Sequence, residues 1–242
     1  MQSNVYEERY YRTYVAPEES ISFNITLFES DLQIYTDSKL QIALEEELKM
    51  IRDTIERYIE NNSVFNGSLV PVPTVWDDPV IIRHMKEASR KLGVGPMATV
   101  AGAVAHYLGM KFFNQTNELI IENGGDLYVY GKKHKKVLLH GGPEATVKNL
   151  TIQIAKEHLP IGVCTSSGRV GHSLSLGNCD AVTVLAKDTL VADAAATAFG
   201  NLLKDKADIK DVLRYSKTFK DIQGVIAIVD DQMGAWGDFE FV

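Results

Sequence analysis

An alanine-rich stretch from Val191 to Gly200, VADAAATAFG, carries a carboxylate and a hydroxyl four positions apart, Asp193 and Thr197. Side chains at positions i and i+4 of an α-helix lie one above the other on the same face. A carboxylate and a hydroxyl placed in this way are hard oxygen ligands of the kind that Mg²⁺ or Ca²⁺ prefers. A structural interpretation is also open, in which Thr197 bonds back to the carbonyl of Asp193, and Asp193 favours the positive end of the helix.

A second candidate site lies in ENGGDLYVYG, where Asn123, Gly124, Gly125 and Asp126 stand between two apolar runs. Asn-Gly and Gly-Gly are strong signals for a hairpin turn. Paired glycines also let a backbone come within hydrogen-bonding range of a flat or anionic ligand. The segment is therefore interpreted as a turn that could also bind a ligand.

A third candidate is the glycine-rich loop GVGPMA at 93–98, which contains Gly95 and Met97. It has the letters of the G-x-G-x-x-A dinucleotide fingerprint, but the preceding segment looks helical, whereas that fingerprint requires a strand. A glycine-rich loop that leads into a helix can still hold a phosphate through its free N–H groups. We expect a binding role here only in combination with other motifs.

The densest polar cluster of the sequence is the loop CTSSGRVGHSLSLGNCD. Its candidate binding and catalytic residues are Thr165, Ser166, Ser167, Arg169 and His172. His172 could act as a base or as a phosphate partner, and Arg169 could clamp an anion, although a structural or solvated histidine is the alternative. GHSLS lacks the final glycine of G-x-S-x-G, so a nucleophile elbow is excluded. Cys164 and Cys179 have no zinc or C-x-x-C spacing and are expected to be reduced, partly buried thiols.

These candidates must be positioned by helices and strands that occur in blocks. Apolar alternation predicts an N-terminal β-hairpin, and apolar residues every three or four positions predict a long helix over 38–61, capped by Asp37 or Ser38. Two helices are predicted after Asp78-Pro79, followed by a run of strands, two more helices over about 189–203 and 208–217, and two last strands. Because strict βαβ alternation is missing, the sequence predicts an α+β fold with a largely antiparallel sheet.

Length, composition and charge narrow the class of protein. With 242 residues and 45% hydrophobic content, the chain can bury a large core. The net charge of −7 argues against a nucleic-acid partner, because phosphate binding requires a basic face, and the basic run at 132–136 is interpreted as a solvated hairpin tip. The sequence shows neither a signal-peptide pattern nor the roughly 18 apolar residues of a membrane span, so we expect a cytoplasmic protein without a membrane partner.

Taken in order, these motifs resemble the ApbE family, the magnesium-dependent FAD:protein FMN transferases. The segment AVTVLAKDTLVADAAATAF resembles the family's C-terminal strand and helix, in which an aspartate and a threonine four residues on contribute to magnesium binding, and Asp193 and Thr197 fall on those positions. ENGGDLYVYG resembles the family's Gly-Gly-Asp strand, TSSG its Ser-Gly step, and His172 the histidine that follows. The resemblance runs from about 93 to 203.

The resemblance implies a single compact ApbE-like (T-fold-like) domain over 1–242, of which residues 1–15 could be flexible. It also implies magnesium at Asp193 and Thr197, FAD as the nucleotide ligand, and His172 as the catalytic residue. Departures from the family pattern are Ala101 before Gly102, where the family has lysine, and His106, where the family has aspartate. The family's Asp-Pro and Thr-Gly motifs are replaced at 173–177.

Because these departures fall in the flavin-dinucleotide site, three functions stay open. The first is a magnesium-dependent FMN transferase or FAD pyrophosphatase. The second is a non-catalytic nucleotide-binding scaffold. The third is an accessory role in sulfur amino-acid (homocysteine) biosynthesis, in which Cys164 or Cys179 would handle sulfur. The small residues of GAVAHYLG and of the alanine-rich helix also make a homodimer an expectation.

Overall fold

The computed structural model describes residues 20–140, 149–168 and 179–242. Its strands are β1 (Ile21–Leu27), β2 (Ser30–Thr36), β3 (Glu118–Asn123), β4 (Asp126–Gly131), β5 (Lys135–His140), β6 (Asn149–Ile154), β7 (Ile161–Ser166), β8 (Ala181–Ala186), β9 (Ile222–Val229), β10 (Gln232–Gly237) and β11 (Glu240–Phe241). Its α-helices are α1 (Gln41–Asn61), α2 (Ser63–Gly67), α3 (Val80–Leu92), α4 (Val100–Phe112), α5 (Thr189–Leu202) and α6 (Ile209–Ser216).

The strands form two sheets. The large sheet has eight strands in the order β1-β2-β3-β4-β7-β8-β9-β10, and the small sheet has three in the order β11-β6-β5. Every neighbouring pair within the described ranges is antiparallel. The predicted α+β class with largely antiparallel sheets is therefore confirmed.

Alternation along the central strands divides the core into two layers. Ile121 and Tyr128 point to the face of the large sheet that packs against the helices, whereas Ile120 and Val129 point to the face covered by the small sheet. Successive side chains of a strand point to opposite faces, so a single strand can serve both layers. Helices, large sheet and small sheet thus stack in that order.

Helix α5 lies almost entirely inside the molecule, packed against α3, α4, β7 and β8. Its alanines allow this close approach. An added Cβ at Gly162 of β7 would lie 2.5 Å from the Thr189 Cα, and one at Gly102 of α4 would lie 2.7 Å from the Thr189 carbonyl oxygen. Glycine is therefore required at 102 and 162, because protein interiors are close-packed and an added Cβ would collide with Thr189.

The predicted cap of α1 is wrong. Leu40 occupies the N-cap position and makes no side-chain bond there. Asp37 instead accepts hydrogen bonds from the backbone N–H of Asn117, at 3.1 Å, and from its side-chain Nδ2, at 2.8 Å. The carboxylate thus ties the end of β2 to the segment that leads into β3.

The predicted hairpin tip at 132–136 is also wrong. The turn at 132–134 joins β4 in the large sheet to β5 in the small sheet, so the flanking strands do not pair with each other. Lys135 is buried and forms an ion pair with Glu118. In the described ranges, the helices are all too short or too polar to cross a membrane.

Candidate functional site

The Gly-Gly turn forms as predicted. Asn123, the last residue of β3, pairs with Asp126, the first residue of β4. Between them, Gly124 and Gly125 have φ values of +66° and +103°. Two consecutive positive φ values are the requirement of a tight type I′ hairpin, which side chains other than glycine, asparagine and aspartate rarely adopt. The Nδ2 group of Asn123 donates to the carbonyl of Ala101 at 3.2 Å, which attaches the turn to the start of α4.

Asp193 makes its contact with α4 rather than with its own helix. Its Oδ2 accepts the backbone N–H of Gly102 at 2.8 Å, in the first turn of α4, where N–H groups lack intrahelical partners. An added Cβ at Gly102 would lie 2.8 Å from the Asp193 Cβ and 3.0 Å from its Oδ2. Gly102 therefore lets a carboxylate on α5 reach the positive end of α4.

Thr197 lies one turn after Asp193 on the same buried helix, with 7% of its surface exposed. In the described structure its hydroxyl makes no hydrogen bond to the carbonyl of Asp193. The back-bond of the structural interpretation is thus not formed, while its other part, in which Asp193 favours the positive end of its helix, stays a prediction. The spacing instead leaves a carboxylate and a hydroxyl next to each other on one face.

Asp126 is the second buried carboxylate of the site. It begins β4, opposite Cys164 on β7, and its side chain lies on the same face of the large sheet as α5. One carboxylate oxygen, Oδ1, is buried and has no hydrogen-bond partner in the described part of the chain. Burial, and then the nearby carboxylates of Asp193 and Glu122, hold the pKa of Asp126 well above its usual value.

The pKa of Asp193 is raised as well. Burial raises the pKa of Asp193 to about 7, and the hydrogen bond from Gly102 opposes this rise. Among the described groups that act on Asp126 and Asp193 there are carboxylates, a thiol and backbone N–H groups, but none is a cation. Two buried carboxylates without a positive partner are costly, because burial penalises each charge and the charges repel each other.

The polar residues at the end of β7 divide between the two faces of the sheet. The hydroxyl of Ser166 is buried and has no hydrogen-bond partner among the described residues, and it lies 3.6 Å from the position of an added Cβ at Gly200 of α5. The hydroxyl of Thr165 instead pairs with that of Thr183 at 2.8 Å, on the face away from α5. Ser167 follows the strand and is half-buried. Of the two strand residues, Ser166 therefore turns its side chain toward α5 and Thr165 turns away from it.

Two further candidates lie before α4. Gly95 precedes a 3₁₀ turn at Pro96–Thr99, and a Cβ there would lie 1.8 Å from the carbonyl oxygen of Ser68. This close approach of two backbones explains the glycine without a ligand. Met97 is half-buried against the helix-side core. Binding by Gly95 and Met97 stays a prediction, and Arg169 and His172 lie outside the described residues.

The structure also forms a polar cluster that the sequence did not indicate. His84 Nε2 lies 2.7 Å from Asp188 Oδ2, and Asp188 caps α5 by accepting the N–H of Leu190 at 2.9 Å. His106 lies nearby, with Nδ1 3.4 Å from the Thr189 hydroxyl, and burial lowers its pKa. In the sequence, no local signal links Asp188 to His84, 104 positions away.

The donor set at α5 fits a hard divalent cation with few protein ligands. Across the described ranges, no three His, Cys, Asp or Glu side chains come together in a way that could hold a metal. The available donors are instead two carboxylates together with the hydroxyls of Thr197 and Ser166. Mg²⁺ is commonly held by one or two carboxylates together with substrate phosphates and water, so this set suits it better than zinc.

Comparison with known sequences identifies the family. A family model described as AbpE bacteria matches residues 12–221. The chain is also 38% identical over 219 residues to a UPF0280 protein of Methanocaldococcus jannaschii, an alignment that covers 88% of this chain and 89% of that protein. The chain belongs to this ApbE-like family. The predicted family resemblance is confirmed.

Solved ApbE structures share the fold of this ApbE-like protein. The apo form of the Pseudomonas stutzeri flavinyl transferase ApbE superposes with a TM-score of 0.58 at 15% identity, covering 90% of this chain and 94% of that one. The flavin transferase ApbE from Vibrio cholerae superposes with a TM-score of 0.53 at 12% identity, covering 92% and 98%. At these identities the likeness shows a common fold and confirms the ApbE-like architecture.

Proposed function

We propose that this ApbE-like protein binds FAD together with a divalent cation and acts on the pyrophosphate of FAD, as an FMN transferase or an FAD pyrophosphatase. The observation that carries the proposal is the pair of buried, uncompensated carboxylates, Asp126 and Asp193, beside the first turn of α4 and the Gly-Gly turn. The structural neighbours named as flavin transferases support the choice of FAD.

Asp193 and Thr197 are the residues that would hold the cation. Their oxygens have the chemistry that Mg²⁺ prefers. In the described ranges, Asp126 Oδ1 and the Ser166 hydroxyl, both near α5, have no hydrogen-bond partner. A bound Mg²⁺ would neutralise charge on the pyrophosphate and thereby favour its cleavage. Gly102 would keep Asp193 in place through its N–H bond.

The Gly-Gly turn would receive the nucleotide. No atom of the described residues lies within 4 Å of the position that a Cβ would take at Gly124, so a ligand could approach the backbone there. Asn123, held by the carbonyl of Ala101, would fix the turn against α4. Arg169 and His172, which precede β8 in the sequence, would supply an anion clamp and a proton carrier, respectively.

The cysteines give no support to a sulfur-handling role. Burial, then the charges of Asp126 and Asp193, hold the pKa of the Cys164 thiol well above its usual value, so the nucleophilic thiolate is disfavoured. Cys179 is also buried. A cytoplasmic location and a homodimer stay predictions from the sequence.

The proposal is tested by incubating the metal-stripped protein with FAD, with and without Mg²⁺, and following AMP by chromatography and the mass of the protein. We expect Mg²⁺-dependent release of AMP from the wild type and its loss in Thr197→Val, which removes only the hydroxyl. Thr54→Val is the matched control, because Thr54 is a half-buried threonine of α1 whose hydroxyl donates to the Met50 carbonyl.

Each outcome assigns a function. AMP with an FMN adduct on the chain identifies a transferase, whereas AMP with free FMN identifies a pyrophosphatase. FAD that binds and stays intact over hours contradicts catalysis and leaves a nucleotide-binding scaffold. Failure to bind FAD in both conditions contradicts the proposal as a whole.

A further inference from the structure

Asp126 has one oxygen whose hydrogen bonding is incomplete. Asp126 lies opposite Cys164 of β7, and the Cys164 thiol and the backbone of Thr165 lower the pKa of the carboxylate against the larger effect of burial. The Cys164 sulfur also lies 3.4 Å from the Thr189 carbonyl, and its single proton can serve only one of these acceptors at a time. Oδ1 of Asp126 is buried, since only 7% of the residue is exposed, and it has no hydrogen-bond partner among the residues that the structure describes.

The hydroxyl of Ser166, on the same face of the sheet, is a second buried polar group without a hydrogen-bond partner among the described residues. Ser166 lies two residues after Cys164 on β7, so both side chains lie on the face of the sheet that meets α5. Its hydroxyl is buried and has no partner within the described ranges, and the residue is 7% exposed. Buried polar groups are nearly always satisfied in folded proteins, so two orphans beside α5 indicate that something else binds there.

Neither a proton nor a water molecule satisfies these requirements well. A protonated Asp126 would still need an acceptor for its O–H group, and Oδ1 has no hydrogen-bond partner among the described residues. A buried water could fill the hydrogen-bonding gap but would leave Asp126 and Asp193 as two like charges without a positive partner. A divalent cation supplies both the missing contact and the missing charge.

We propose that Asp126 is a further ligand of the cation held by Asp193 and Thr197, and that this three-residue site takes up a divalent cation before any nucleotide is present. The inference rests on the proposed function, because it concerns the same cation. Unlike the proposed function, the inference states that protein oxygens from β4 and α5 form the cation site before FAD binds. Ser166 would bind a water of the cation's hydration shell.

The test measures cation binding without FAD. The metal-stripped full chain is titrated with Mn²⁺, free Mn²⁺ is followed by electron paramagnetic resonance, and Mg²⁺ is added as a competitor. We expect the wild type to bind Mn²⁺ and to release it to Mg²⁺, and Asp126→Asn to weaken the affinity at least tenfold. Asp180→Asn is the matched control, since Asp180 is a buried aspartate whose Oδ2 accepts the N–H of Asp230.

The outcomes separate this inference from the proposed function. Wild-type affinity in Asp126→Asn, or Mn²⁺ binding that needs FAD, overturns the inference and leaves the FAD function standing. A cation site that depends on Asp126 in a protein that never binds FAD supports the inference as a metal site and overturns the function. If Asp126→Asn fails to fold, anomalous diffraction from Mn²⁺-soaked wild-type crystals decides: Mn²⁺ in contact with Asp126 supports the inference, and Mn²⁺ on Asp193 and Thr197 alone overturns it.

Discussion

Replacing Asp193 with asparagine removes one ionisable group from the middle of α5 and keeps the shape of the side chain. The amide oxygen of asparagine can still accept the N–H of Gly102, which lies 2.8 Å from Oδ2 in the wild type. The contact between α4 and α5 should therefore survive. What changes is the charge in a site that is buried and has no described cationic neighbour.

The magnitude follows from the pKa of Asp193. Burial raises that pKa from 3.8 to about 7, and each pKa unit corresponds to about 1.4 kcal/mol. Because the folded value lies above the unfolded one, the associated stability is complete below about pH 4 and is lost as the pH rises through 7. Without a cation, the wild type should lose about 4 kcal/mol of unfolding free energy over this range that Asp193→Asn does not lose.

The assay is urea unfolding of both proteins between pH 4 and pH 8.5, in EDTA and in Mg²⁺. In EDTA, we expect the two proteins to be equally stable near pH 4 and Asp193→Asn to be the more stable above pH 7. Mg²⁺ should stabilise the wild type and leave the variant unchanged, because ligand binding to the folded state raises stability. Asp211→Asn, at an exposed carboxylate of α6, is the control for a change of charge alone.

Parallel stability curves for wild type and Asp193→Asn across this pH range would refute the reasoning, since they would mean that Asp193 carries no ionisation penalty. A variant that is less stable than the wild type at pH 8 in EDTA would refute it as well. That result would show that the charge of Asp193 is satisfied by the protein itself.

Two other substitutions probe the packing around the site and the helix layer. Gly102→Ala should weaken Mn²⁺ binding and lower the unfolding free energy, because the new Cβ would lie 2.7 Å from the Thr189 carbonyl oxygen. This effect should outweigh the better helix propensity of alanine. Gly67→Ala, where an added Cβ meets open space, should be neutral in the same Mn²⁺ titration and urea unfolding. Equal effects of the two changes would contradict this explanation. Lys86→Met should cost about 3–5 kcal/mol in urea unfolding, because it leaves the buried carboxylate of Asp78, 2.8 Å away, without its cation. Adding Asp78→Asn should restore part of the loss, and no restoration would contradict an ion-pair origin.

Local chemistry explains which parts of the fold could be predicted from the sequence. The Gly-Gly turn was predictable because two consecutive positive φ values require glycine-like residues, and the start of α5 because Asp188 caps it directly. The cap of α1 was mispredicted because Asp37 has a stronger set of partners in Thr116 and Asn117, about 80 positions away, and this choice is decided by tertiary structure.

The site itself was predictable only in part, for the same reason. The spacing of Asp193 and Thr197 shows that they share a helix face. The sequence contains no signal that Asp193 would meet Gly102, 91 positions away, or that Asp126 would lie close enough to raise the energy of both charges. The alanines of α5 indicated that another element packs closely against this helix, but not which one. The structure shows close contacts of Gly102 of α4 and Gly162 of β7 with Thr189 of α5.

The central claim is that a divalent cation and FAD bind together at α5. Its most direct test is calorimetric titration of FAD into the metal-stripped protein, repeated in saturating Mg²⁺. The account predicts that Mg²⁺ tightens FAD binding at least tenfold in the wild type and leaves Thr197→Val unaffected. Equal FAD affinity with and without Mg²⁺ in the wild type would contradict it.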